Sequence, residues 1–133
     1  MSNLTADQRR AIEWECTRLV NLYANLNDAA DWGALADLYT VDGAMARPSA
    51  PDALIRGRAA ILESLRARAP RTTRHVCANI VVEVDSATAA HAQSAMLLFN
   101  GPSLPLVGSF HDRFAFTSEG WRFAERRGLL HFR

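Results

Sequence analysis

After residue 72 the hydrophobic pattern of this chain changes period, and that change restricts the possible folds more than any single motif does. Upstream, Ile12, Cys16, Leu19, Tyr23 and Leu26 recur at alternating steps of four and three, the repeat of a helix with one buried stripe. Thr5-Ala6-Asp7-Gln8 fits a capping box at its start, with Thr5 as N-cap. Asp31 is placed to cap a second, short helix through Leu38-Tyr39, and Gly57 to Arg68, followed by Pro70, reads as a third. Val41 to Arg47 reads as a short strand, and Pro48 to Arg56 as loop. Downstream the runs are strand-like: Thr72 to Asp85, Ala89 to Phe99, Leu106 to Thr117 and Trp121 to Phe132, separated by turn signals such as Ser118-Glu119-Gly120. Helices first and a meander of strands afterwards predict an α+β fold, an antiparallel sheet with three helices over one face. A long sheet of this kind twists, and helices that cover only part of it leave a cone-shaped apolar pocket.

A chain of 133 residues, 49% hydrophobic and 22% charged, fits one domain spanning 1–133. Its net charge of +1 gives no field that would favour nucleic acid or an anionic membrane. All 15 basic residues are arginine, which carries no message beyond the fixed charge and fork geometry of the guanidinium. Met1-Ser2-Asn3-Leu4-Thr5 has no basic or apolar leader character, and no apolar run nears the ~18 residues of a membrane span, so a cytoplasmic location is expected. Cys16 and Cys77 lack metal-ligand spacing and read as small core residues. With His91, His111 and His131 on separate strands, no metal and no cofactor is expected.

The chemistry-bearing candidates gather near the end of the first helix and the start of the first long strand. Tyr23 stands on the buried stripe, either as a core tyrosine or as a phenol donating to a substrate oxygen. His75 opens a strand on which His75, Cys77, Asn79 and Val81 share one face, and an imidazole there suits general base catalysis. Asp28 lies about 140° round an ideal helix from Tyr23, so it reaches a pocket only if the helix end is distorted, whereas Asn27 at i+4 is on the right face. Asp112 lies between Phe110 and Phe114. It is either an inward carboxylate with a raised pKa or the ion-pair partner of Arg113, Arg122 or Arg127.

Several pieces together resemble the SnoaL-like branch of the nuclear-transport-factor-2-like superfamily, whose fold is cystatin-like. They are Tyr23-x4-Asp28-x2-Asp31-Trp32, Leu38-Tyr39-x2-Asp42-Gly43-Ala44, Arg56-Gly57-Arg58, Thr73-Arg74-His75, Gly108-Ser109-Phe110-His111-Asp112 and Gly120-Trp121-Arg122-Phe123. Dehydratases, polyketide cyclases and steroid isomerases share that branch. Asp28 and His75 match the Asp and His of scytalone-dehydratase-like and bile-acid-dehydratase-like members, and Tyr23 matches a tyrosine of the latter. Scytalone-type enzymes carry a tyrosine where this chain has Asn27, which argues against scytalone as substrate. Steroid isomerases carry their carboxylate base where this chain has Arg47, which argues against that reaction.

The resemblance implies a cofactor-independent lyase or isomerase acting on a small, largely apolar carbonyl compound. His75 would move the α-proton, Asp28 would orient the imidazole and Tyr23 would donate to the carbonyl. Asp112, Asn79, Asn27, Phe110 and Phe114 would bind substrate. The alternatives are a non-catalytic module that uses the same cone to hold an apolar ligand or presents its sheet to partners, favoured if Phe110, Phe114, Phe116 and Trp14 fill the cone, and the small subunit of a ring-hydroxylating oxygenase. Self-association as a dimer or trimer is expected through the second sheet face, where Val76, Ile80 and Val82 would lie.

Overall fold

The computed structural model describes residues 3–132, so Met1, Ser2 and Arg133 of the expected 1–133 domain and of the N-terminal segment lie outside the described residues. Helix α1 (Ala6–Asp28) begins on the expected capping box, in which the Gln8 backbone N–H donates to Thr5 Oγ1 and the Thr5 N–H to Gln8 Oε1. Helix α2 (Trp32–Ala36) starts on Asp31, and helix α3 (Arg58–Arg66) follows Gly57. Six strands form one sheet: β1 (Tyr39–Ala46), β2 (Ile55–Arg56), β3 (Arg74–Val84), β4 (Ala89–Phe99), β5 (Leu106–Thr117) and β6 (Gly120–His131), in the order β2-β1-β6-β5-β4-β3. The four long strands are antiparallel, and β1 joins β6 in parallel, which the meander reading did not include.

The α1 stripe of Ile12, Cys16, Leu19, Val20 and Tyr23 packs on the sheet with Phe114, Phe123, Val82 and Ala92. A second cluster, Met96, Leu98 and Phe110, sits farther along the sheet. No helix among the described residues is long and apolar enough to cross a membrane.

Two β-bulges decide which side chains face the helices. The pairing of β3 with β4 slips between Ala78 and Val81, and Asn79 there takes a left-handed φ of 53°. Strict alternation would turn Asn79 and Val81 inward with His75. The extra residue reverses the parity, so Ile80 and Val82 pack inward and Asn79 and Val81 are exposed. The outer face of β3 therefore carries Val76 and Val81 in place of the expected Val76, Ile80 and Val82. In β6 the register slips at Ala124, between the pairs Phe114↔Phe123 and Arg113↔Glu125. Arg126 thereby turns inward opposite Asp112.

Gly128 lets the chain after β1 cross β6 closely: a Cβ at this position would lie 2.4 Å from Pro48 Cγ. Gly128→Ala is expected to lower stability by about 1–3 kcal/mol through overpacking and to displace the lip that Pro48 and Ser49 form on the main cavity. A thermal melt reads this directly, and an unchanged melting temperature would show that the lip yields freely.

Candidate active site

Between the two core clusters opens a cavity of about 400 Å³. Tyr23, Met45, Met96, Leu98, Phe110 and Leu130 give it an apolar wall, and Asn27, His75 and Arg126 bring polar groups into it. Arg47, Arg68 and Arg71 also line it.

His75 enters the cavity from the start of β3, with Asp28 behind it. Its Nδ1 lies 2.6 Å from Asp28 Oδ1, and its backbone N–H donates to Asp28 Oδ2 at 2.8 Å. Thr73 Oγ1 donates to Asp28 Oδ1 at 2.9 Å. Both side chains are 8% exposed. The helix is regular through Asp28, so the distortion required above is absent. Instead β3 passes the helix end on the side where Asp28 points, and the carboxylate reaches the cavity only through His75. A carboxylate on Nδ1 holds that nitrogen as the N–H and leaves Nε2 as the basic nitrogen available to the cavity. Burial lowers the His75 pKa below the ordinary 6.5; the hydrogen bond and charge of Asp28 offset part of this, and Arg71 and Arg126 add to it. The imidazole is therefore neutral, and able to accept a proton, at neutral pH.

Tyr23 sits on the cavity wall, and its hydroxyl is 2.9 Å from the Tyr39 hydroxyl and 3.5 Å from Met45 Sδ. Tyr39 is wholly buried. Burial raises both phenol pKa values, so both groups are protonated. Tyr39 donating to Tyr23 satisfies the buried hydroxyl and leaves the Tyr23 proton for Met45 sulfur, a weak acceptor, or for a ligand oxygen.

Arg126 is the residue that sequence reasoning missed. Its Nε donates to Asp112 Oδ1 at 3.0 Å, and both side chains are within 1% of full burial. The guanidinium carbon lies 3.7 Å from the Phe110 ring centroid, 4.3 Å from Tyr23 and 4.9 Å from Phe123. Burial pushes the Asp112 carboxyl up to about 6, and Arg126 pulls the other way without overcoming it. Asp112 faces inward, as one reading held, but its partner is none of Arg113, Arg122 or Arg127. The slip at Ala124 is the reason: counted from the Thr117↔Gly120 end without it, Arg126 falls on the outer face.

The structure thus brings Tyr23, Asn27, His75 and Phe110 to one cavity, with Asp28 behind His75 and Asp112 behind Arg126. Three of the five expected substrate contacts do not line the cavity: Asp112, which stands behind Arg126, and Asn79 and Phe114. Asn79 is exposed at the β3 bulge, and Phe114 is a core residue with its ring 5.0 Å from that of Phe123.

The model of a family described as SnoaL-like domain matches residues 8–127. No curated protein matches the chain in sequence. Among solved structures, a candidate scytalone dehydratase of Novosphingobium aromaticivorans superposes with a TM-score of 0.80 at 21% identity, covering 96% of this chain and 89% of that one. An NTF2-like protein with a cystatin-like fold from the same organism gives 0.75 at 26% identity, covering 85% and 77%. A Catenulispora acidiphila protein solved in complex with S-DNPA gives 0.75 at 21% identity, covering 92% and 95%.

Proposed function

The chain belongs to the SnoaL-like domain family, and from that premise we propose that it is an acid–base lyase or isomerase of a small, largely apolar carbonyl compound. The observation that carries this reading is the buried His75–Asp28 pair, joined at 2.6 Å, beside a cavity of about 400 Å³. His75 Nε2 removes the proton α to the carbonyl, and Asp28 stabilises the imidazolium that forms. Tyr23 donates its hydroxyl proton as a hydrogen bond to the carbonyl oxygen as enolate charge develops. With a hydroxyl on the β-carbon, the imidazolium returns the proton to that oxygen and water leaves, so the net reaction is dehydration. Without one, return of the proton to another carbon gives isomerisation. Asn27 and Phe110, both on the cavity wall, touch substrate in this reading. A cone filled by aromatic side chains would have favoured the binding module; Trp14 and Phe116 are instead 64% and 52% exposed, and the cavity is open. An open cavity also suits a module that holds an apolar ligand, so it is the buried His75–Asp28 pair that favours the enzyme.

The reading is tested by exchange of the α-protons of tetralone in heavy water, followed by NMR. Exchange is expected to exceed the buffer rate and to hold steady above the ordinary histidine pKa of 6.5. As the pH falls below the depressed His75 value, the imidazole is protonated and the rate drops about tenfold per pH unit. Asp28→Asn removes a group that raises the His75 pKa, so its acid limb should move to still lower pH. Exchange at the buffer rate, for tetralone, its β-hydroxy derivative and tetralone-2-acetic acid alike, overturns the proposal.

A further inference from the structure

Arg126 is 1% exposed and lines the cavity, yet Nη1 and Nη2 meet no hydrogen-bonding oxygen or nitrogen among the described residues. The Cys77 sulfur meets this guanidinium and feels its charge, but a neutral thiol is a weak acceptor for it. Buried guanidinium N–H groups are almost always paired, because an unmade bond to a charged donor is costly. Aromatic rings lie against this guanidinium, Phe110 at 3.7 Å and Tyr23 at 4.3 Å from its carbon, and Asp112 occupies the Nε position. The edge left for a partner is the pair of terminal nitrogens, whose spacing matches the two oxygens of a carboxylate.

The charge of the cavity points the same way. Among the described residues its lining holds four arginines, Arg47, Arg68, Arg71 and Arg126, and no aspartate or glutamate. Asp112 balances Arg126 alone. Among the described residues Arg68 donates to the neutral Asn27 Oδ1, at 3.4 Å, and Arg47 donates to the Ser64 carbonyl at 2.7 Å. Burial, then the neighbouring charges of Arg47 and Arg71, lower the Arg68 pKa, as expected where like charges crowd together. A chain with a net charge of only +1 has concentrated positive charge around one apolar cavity.

We propose that the compound bound in this cavity is an organic acid whose carboxylate sits on the Nη1–Nη2 edge of Arg126, drawn in past Arg47, Arg68 and Arg71. The inference rests on the reading of this cavity as the substrate site and narrows it: the substrate is a carbonyl compound that also carries an acid group. The apolar wall of Met45, Met96, Leu98 and Leu130 takes its hydrocarbon part.

The test compares naphthylacetate with naphthylacetamide, two probes of nearly equal shape, by calorimetry at neutral pH. The acid is expected to bind roughly ten- to a hundredfold more tightly, as charge-assisted hydrogen bonds to a buried donor pair allow. That preference should weaken with added salt. Arg126→Gln should bring the ratio close to one, and Arg68→Gln should reduce it by a smaller factor. If Arg126→Gln does not fold, the wild-type ratio and Arg68→Gln decide the matter. Equal binding of acid and amide by the wild type overturns the inference, as does a folded Arg126→Gln protein that keeps the preference. His75→Ala should retain the acid preference. Acid preference without α-proton exchange would leave this inference standing and remove the catalytic reading. Exchange of a neutral ketone without acid preference would do the reverse.

Discussion

Replacing His75 by alanine is expected to abolish turnover and leave the fold in place. The first half follows from the position of the ring: His75 lines the cavity, and with Nδ1 held by Asp28 the basic nitrogen left is Nε2. Loss of a positioned general base lowers the rate by about 10²–10⁴-fold. The second half follows from what Asp28 keeps. Its carboxylate would still accept from the His75 backbone N–H, which alanine also provides, at 2.8 Å, and from Thr73 Oγ1 at 2.9 Å. No buried carboxylate is stranded, so the loss of stability should stay within about 1–2 kcal/mol. Tetralone exchange and a thermal melt on the same preparation check both halves. Exchange within a few-fold of wild type in His75→Ala would remove His75 from the mechanism. A collapsed melt would show that the imidazole is mainly structural.

Where the chain keeps one period, side-chain direction could be read from sequence. The α1 stripe of Ile12, Cys16, Leu19 and Tyr23 is buried as its four-three spacing requires, and Thr5 and Asp31 cap helices where their residue types suggest. Legibility failed where the period breaks. Neither the Asn79 bulge nor the slip at Ala124 has a glycine to mark it, and each reverses the parity of the strand beyond it. One reversal took Asn79 out of the site and the other brought Arg126 in. A weak signal for the second was present: Trp121 and Phe123 alternate inward, and continuing that alternation would bury Glu125 beside Phe110 and Phe114. Such a conflict is itself a reason to suspect a register shift. Asp28 shows a different limit. Helical geometry correctly turned it away from the Tyr23 stripe, but which strand would pass the helix end is a tertiary fact, and it determines what Asp28 holds.

Asp112→Ala is expected to cause the largest loss of stability of any substitution considered. Among the described residues it removes the one carboxylate bonded to Arg126, while the guanidinium stays at 1% exposure with Nη1 and Nη2 already lacking an oxygen or nitrogen partner. Breaking a buried ion pair from one side costs about 3–5 kcal/mol, because an uncompensated charge remains inside. For a domain of this size that lowers the melting temperature by roughly 10–20 °C. The informative companion is the double variant Asp112→Leu with Arg126→Met, which removes both charges at similar volume. Replacing a buried pair by apolar side chains is commonly neutral or stabilising by about 1–4 kcal/mol. The double variant should therefore melt at or above the wild-type temperature and lose the preference for naphthylacetate over its amide. That outcome would mean the pair is not kept for the stability of the core: Asp112 holds in place a cation whose remaining donors belong to a ligand. A double variant that melts as low as Asp112→Ala would instead make the pair part of the folding framework. The orphaned Nη groups would then be a consequence of packing rather than a binding site.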